Sequence, residues 1–159
     1  MSQAQVSIIM GSQSDWTAME DALAPLETLG IAYETRVVSA HRTPDRLYRF
    51  CQEAHLRGIR VIIAGAGGSA HLAGMVAAIT HLPVVAVPVS SRDLKGMDSL
   101  MSMVQMPRGV AVACQGIGNA FNAGLMAAQM LALSDPELTR RLIDWRHSQS
   151  QAVVEEVRG

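Results

Sequence analysis

Five short apolar runs, each ending at a cluster of small or polar residues and each separated from the next by a helically spaced segment, restrict this chain more than any other feature. The runs are Val6–Met10, Ile31–Val38, Val61–Ala64, Pro83–Pro88 and Val110–Cys114. Residues 17–29, 44–56, 69–80, 96–104 and 122–133 lie between and after them with helical periodicity, and Asp135-Pro136-Glu137 opens a last amphipathic helix that the pattern carries to about residue 157. Parallel strands need a crossover to return to the same edge of a sheet, and a helix is the usual one. Five strands alternating with helices therefore predict one doubly wound parallel sheet.

The expected architecture is an α/β three-layer sandwich, flavodoxin-like, with strand order 2-1-3-4-5 and an extra C-terminal helix. At 159 residues the chain fits a single domain, residues 1–159, large enough to bury about two-thirds of its unfolded surface without staples. The C-terminal helix has no strand to feed. It is expected to pack on its own domain or to reach a neighbouring subunit.

Composition narrows the function classes. Thirteen basic and fourteen acidic residues leave a formal charge of -1, and no segment gathers Lys or Arg into a groove, so nucleic acid is not expected as a partner. There is no apolar stretch of membrane-spanning length, and MSQAQVSIIMG lacks the basic start and long apolar middle of a signal peptide; the expected location is the cytoplasm. Cys51 and Cys114 belong to no paired spacing and read as free thiols. Aromatics make up only 4% of the chain, so Ala, Val, Ile, Leu and Met must fill the core. A mean hydropathy of +0.19 and the cluster Met97, Met101, Met103 and Met106 exceed what a small monomer needs, which points to a homo-oligomer.

In an open parallel sheet, ligands bind beyond the carboxyl ends of the strands, where the order reverses. After the first strand, Gly11-Ser12-Gln13-Ser14-Asp15 places hydroxyls and backbone N–H groups at a helix start. Such a loop suits a phosphate, and it suits ordinary helix capping equally well. After the second strand, Ser39-Ala40-His41-Arg42-Thr43-Pro44 sets a histidine beside an arginine. Histidine has an unperturbed pKa of about 6.5 and can both give and take a proton near neutrality; arginine carries forked donors for phosphate or carboxylate. A surface His-Arg pair at a helix start is the alternative. Gly65-Ala66-Gly67-Gly68 after the third strand lets backbone approach a ligand and offers N–H groups to anionic oxygens, yet it lacks both dinucleotide spacing and a Walker lysine. His71 reads as a capping or loop-supporting residue near the site. Ser90-Ser91-Arg92, Asp98-Ser99 and Pro107-Arg108 complete the loops, while His55, His81 and His147 read as solvated or packing residues. No pair of glycosidase-type carboxylates, GxSxG elbow or metal-ligand cluster is visible, so no bound metal is expected.

Taken together and in order, Gly11–Trp16, Ser39–Pro44, Ile63–Gly68 with Ala70-His71-Leu72, and Gly96–Leu100 through Val104–Gly109 resemble the N5-carboxyaminoimidazole ribonucleotide mutase family of purine biosynthesis. The likeness covers nearly the whole chain. AGAGG followed by Ala-His-Leu is similar to the mutase class rather than to the related carboxylase class that takes free carbon dioxide. Two stretches depart from the family pattern: Gly118–Gly124 is shorter and lacks its lysine, and His71-Leu72-Ala73-Gly74 replaces His-Leu-Pro-Gly.

The resemblance implies a ribonucleotide substrate whose carbamate carboxyl moves from the exocyclic nitrogen to ring carbon 4, with His41 as general acid and base. It implies Ser12, Ser14 and Arg42 at the phosphate, Asp15 at the ribose hydroxyls, and Gly11, Ser39, Gly65, Ala66, Gly67, Gly68 and His71 as further substrate-binding positions. It implies no cofactor, because the aminoimidazole ring is itself enamine-like, and an octamer with sites at subunit contacts. The carboxylase reaction on free carbon dioxide is the rival enzyme reading, and a non-catalytic nucleotide-binding domain of the same fold is the rival outside catalysis. A flavin carrier is disfavoured, since only Trp16 stands near a ligand loop to stack on the ring.

Overall fold

A computed structural model describes residues 3–157 and shows a five-stranded, all-parallel sheet in the order β2-β1-β3-β4-β5. The strands are β1 (Val6–Met10), β2 (Tyr33–Val37), β3 (Val61–Gly67), β4 (Val84–Val89) and β5 (Ala113–Cys114). The helices are α1 (Trp16–Met19), α2 (Leu23–Thr28), α3 (Pro44–Glu53), α4 (Leu72–Ile79), α5 (Met97–Val104), α6 (Ala120–Ala132) and α7 (Pro136–Ala152). No helix among the described residues is long and apolar enough to cross a membrane.

Alternation along the strands sorts the interior into two cores. Val6, Ile8, Met10, Val61, Ile63, Val85 and Val87 face α1, α2, α6 and the start of α7 through Met19, Leu26, Ala123, Ala127, Leu131 and Leu138. The intervening residues Ile9, Ile62, Ala64, Val84 and Ala86 face α3, α4 and α5 through Leu47, Phe50, Leu72, Val76 and Met103. The central strands are buried on both sides and therefore read as apolar runs, broken in β1 only by the buried Ser7. The α7 helix docks on its own chain, with Arg141 Nε donating to the Leu29 carbonyl at 3.0 Å and Trp145 beside Phe121.

Several boundaries differ from the sequence reading. The single helix expected over 17–29 is broken by a 3-10 turn at Glu20–Ala22; Pro25 has no N–H to give the Asp21 carbonyl, so regular bonding cannot run through the segment. The last helix ends at Ala152 rather than near 157, and β5 shrinks to Ala113–Cys114. The largest change is in β3, which runs through Gly65-Ala66-Gly67 instead of ending at Ala64. These residues pair in register with Val87, Pro88 and Val89, so ladder formation overrides the poor strand propensity of glycine.

Gly65 is required by packing. It pairs with Met10 across β1, and a Cβ there would overlap the Met19 Sδ that lies over the strand. Gly65→Ala should therefore destabilise the fold by about 1–3 kcal/mol through overpacking, measured by urea unfolding; an unchanged midpoint would mean that Met19 moves aside freely.

Candidate active site

β1 and β2 end level, because Met10 pairs with Val37, and β3 runs two residues further, from Gly65 opposite Met10 to Gly67. The order of strands reverses between β1 and β3, and a cleft of about 390 Å³ opens there, lined by the loops after β1, β2, β3 and β4.

In the first loop, Ser12 and Asp15 form a reciprocal capping box. The Ser12 N–H donates to Asp15 Oδ2 at 3.0 Å, while the Ser14 N–H and hydroxyl both reach Ser12 Oγ, at 3.3 and 3.0 Å. The capping alternative is thus what the chain itself does, and it leaves Asp15 Oδ1 without a protein hydrogen bond among the described residues. Burial raises the Asp15 pKa, and the Ser12 N–H and the charge of Arg42 only partly offset it.

The second loop is closed by Thr43, a residue the sequence reading passed over. Thr43 Oγ1 accepts from the Ser39 N–H and donates to the Ser39 carbonyl, both at 2.9 Å, after which Pro44 starts α3. Arg42 folds back to donate to the Gly11 carbonyl at 3.1 Å, tying the first two loops together, while Ser39 Oγ accepts from the Arg42 backbone at 3.2 Å. His41 stands exposed at the turn.

His71 stands at the cap position of α4, as the capping reading expects, although its side chain makes no capping hydrogen bond. The helix begins at Leu72, so His71 is its cap position rather than part of a first turn starting at Ser69. Its Nδ1 lies 2.9 Å from His41 Nε2, with the rings edge-on at 83°. One of these nitrogens must carry the proton and the other accept it. The outer nitrogens, His41 Nδ1 and His71 Nε2, make no protein hydrogen bond among the described residues, so the hydrogen-bonded pair has two open ends.

The glycine segment divides. Ala66 and Gly67 line the cleft, but Gly65 is buried within β3 and Gly68 does not reach the lining. Gly68, at φ +71°, turns its N–H onto Ser99 Oγ at 2.9 Å, and the Ser99 hydroxyl in turn donates to the Val89 carbonyl at 2.6 Å. That amide is already satisfied and is not offered to a ligand in this structure. The β4–α5 loop is braced similarly: Ser91 Oγ donates to Asp98 Oδ1 and accepts from the Gly96 N–H. The Ser91 hydroxyl holds the Asp98 carboxyl below its usual range.

The structure therefore gathers Gly11, Ser12, Ser14, Asp15, Ser39, His41, Arg42, Ala66, Gly67 and His71 around one cleft, whose lining does not include Gly65 and Gly68. It adds Ala40, Ser69, Leu72, Ser90 and Ser91 to the lining. The run Ser90-Ser91 at a strand end was the available signal for the last two. The sequence reading names Ser99 with Asp98 but gives it no role, and that role needs the β3 and β4 ends to meet.

Two outcomes follow. Ser99→Ala strands the Gly68 N–H and should destabilise by about 1–3 kcal/mol in urea unfolding; no loss would mean that water replaces the hydroxyl. A carboxyl whose folded pKa is raised adds stability below its unfolded pKa that is lost as pH climbs through the folded one. Asp15→Asn should therefore melt no lower than wild type at neutral pH and should flatten the wild-type decline above about pH 4; a lower melting point across that range would mean that the ionised carboxylate holds the loop.

Residues 5–152 match the family described as AIR carboxylase. The N5-carboxyaminoimidazole ribonucleotide mutase of Brucella melitensis is 57% identical over 152 residues, 94% of each chain. The mutase of Bacillus subtilis is 56% identical over 155 residues, 96% of each chain, and that of Escherichia coli is 54% identical over 154, covering 96% of this chain and 91% of the relative. The crystal structure of Treponema denticola PurE superposes with a TM-score of 0.84 at 32% identity, over 92% of this chain and 91% of that one.

Proposed function

The chain belongs to the AIR carboxylase family, and from that premise we propose that it is an isomerase, an N5-carboxyaminoimidazole ribonucleotide mutase of purine biosynthesis. It converts N5-carboxyaminoimidazole ribonucleotide to its 4-carboxy-5-aminoimidazole isomer. The observation that carries this reading is near-full-length identity of 54–57% to proteins bearing that name. The histidine pair at the sheet's switch point supplies the matching chemistry.

His41 is the catalytic acid and base. As the bond between the carbamate carbon and the exocyclic nitrogen breaks, carbon dioxide leaves and the nitrogen takes a proton from protonated His41. The electron-rich ring carbon 4 then attacks the trapped carbon dioxide, and neutral His41 removes the proton that carbon bears. The proton inventory closes on itself, so one histidine serves both steps. His71, hydrogen-bonded to His41, fixes which ring nitrogen of its partner carries the proton.

Arg42, Ser12 and Ser14 bind the phosphate, the free Oδ1 of Asp15 takes a ribose hydroxyl, and Gly67 with Ala66 lies beneath the base. Escape or hydration of carbon dioxide would end the reaction, so the cleft must close. We assign that closure to neighbouring copies in a cytoplasmic homo-octamer. In support, Met75, Leu94, Met97, Met101 and Val104 expose apolar surface on α4, α5 and the loop beside Ser91.

The test is interconversion of the two carboxylated ribonucleotides by purified protein without ATP, metal or added bicarbonate. Wild type should isomerise them, and His41→Asn should lose about a hundredfold to ten-thousandfold in kcat while still binding ribonucleotide. A folded wild type that instead needs unmodified aminoimidazole ribonucleotide and bicarbonate would move the assignment to the carboxylase reaction.

A further inference from the structure

On the flank of α3 away from His41, a second cavity of about 440 Å³ opens against the edge strand β2. It shares no lining residue with the active-site cleft. Four arginines line it, Arg36 from β2, Arg46 and Arg49 one turn apart on α3, and Arg57 from the turn beyond, with Glu53 as the one acid in the lining.

The local counter-charge is already committed. Glu34, on β2, accepts both Arg36 Nε and Nη2, at 2.9 and 2.8 Å, Arg57 Nη2 at 2.9 Å and the Ser7 hydroxyl at 3.0 Å. One carboxylate thus serves two guanidinium groups. Glu53 biases Arg36 but makes no ion pair among the described residues. Arg46 gives one N–H to the Val37 carbonyl at 3.1 Å, and Arg49 has no hydrogen bond or ion pair among the described residues. The Arg57 guanidinium is seated over the Phe50 ring at 5.6 Å, and its buried Nε is unpartnered. Four arginines against Glu34 and Glu53 leave two positive charges uncompensated, in a chain whose formal charge is -1.

Like charges gathered around a cavity repel one another unless an anion joins them. A carboxylate carries one charge, whereas a phosphoryl group carries close to two and presents three oxygens to forked donors. We propose that this cavity is a second anion site, taking the phosphoryl group of a phosphate monoester or a polyphosphate between Arg36, Arg46 and Arg49.

Calorimetric titration of the full-length protein with inorganic pyrophosphate and with ribose 5-phosphate tests this. Wild type should show, beside binding at the active-site cleft, a second site per chain that survives about 0.15 M salt, where well-separated surface charges are screened. Arg46→Gln/Arg49→Gln should weaken that site at least about tenfold and leave the first intact, while Arg42→Gln should do the reverse. The probe that binds this site more tightly distinguishes a monoester from a polyphosphate ligand. Arg49→Gln alone, which removes no contact within the chain, gives the same reading should the double variant fold poorly. Wild-type stoichiometry and affinity in the α3 variants, or a second site that vanishes at that salt concentration, would overturn the proposal. Because the readout is binding, it is independent of which reaction the cleft catalyses.

Discussion

Pairing of β1 with β3, with Met10 opposite Gly65, is the contact on which the rest of the molecule depends. It brings together strands that are not consecutive in the chain and so creates the point where strand order reverses. Met10 also pairs with Val37, so β1 and β2 end level with Gly65 while β3 runs on to Gly67, and Gly11, Ser39 and Ala66 line one cleft. Met19 lies over Gly65, so α1 is pinned to the same place and the loop that carries Ser12 and Asp15 is fixed at its exit. The cleft is a consequence of register before it is a consequence of any polar residue.

On that frame the polar groups are held largely by one another. Thr43 closes the loop that presents His41, Arg42 bridges it to Gly11, and Ser99 holds the glycine turn from behind. Each hydroxyl satisfies backbone groups that irregular chain would otherwise leave unpaired at a partly buried position. Within the cleft, Oδ1 of Asp15 and the two outer nitrogens of the histidine pair keep no protein hydrogen bond among the described residues. Free acceptors and donors on well-braced loops are suited to holding a polar ligand in one orientation.

Arginine is used in two ways by this fold. Arg42 spans two loops of the candidate cleft, whereas Arg36, Arg46, Arg49 and Arg57 line a separate cavity on α3, where among the described residues Glu34 alone makes ion pairs. Burial alone would raise the Glu34 pKa, but hydrogen bonds from Arg36 and Ser7 and the nearby arginine charges outweigh it and lower it instead. That carboxylate stays ionised and anchors the edge strand. The thiols play no comparable part: burial pushes Cys51 up to about 11, which keeps it protonated and inert.

The sequence by itself determined the strand order, the two faces of the sheet and most of the cleft. Apolar periodicity states which residues must leave water, and each loop is short enough to be tied to the strand before it. It also placed His41, Arg42, Ser12 and Asp15 together, because the loops after β1 and β2 must share one edge. Only the tertiary structure decided what Gly65 and Gly68 do. A glycine run looks alike whether it pairs in a ladder or cradles a ligand, and here β4 claims Gly65 to Gly67 while Ser99 claims the Gly68 amide. Tertiary structure likewise decided that His71 meets His41. Thirty residues separate them, and their 2.9 Å contact depends on the relative height of two strand ends, a quantity that no local pattern encodes.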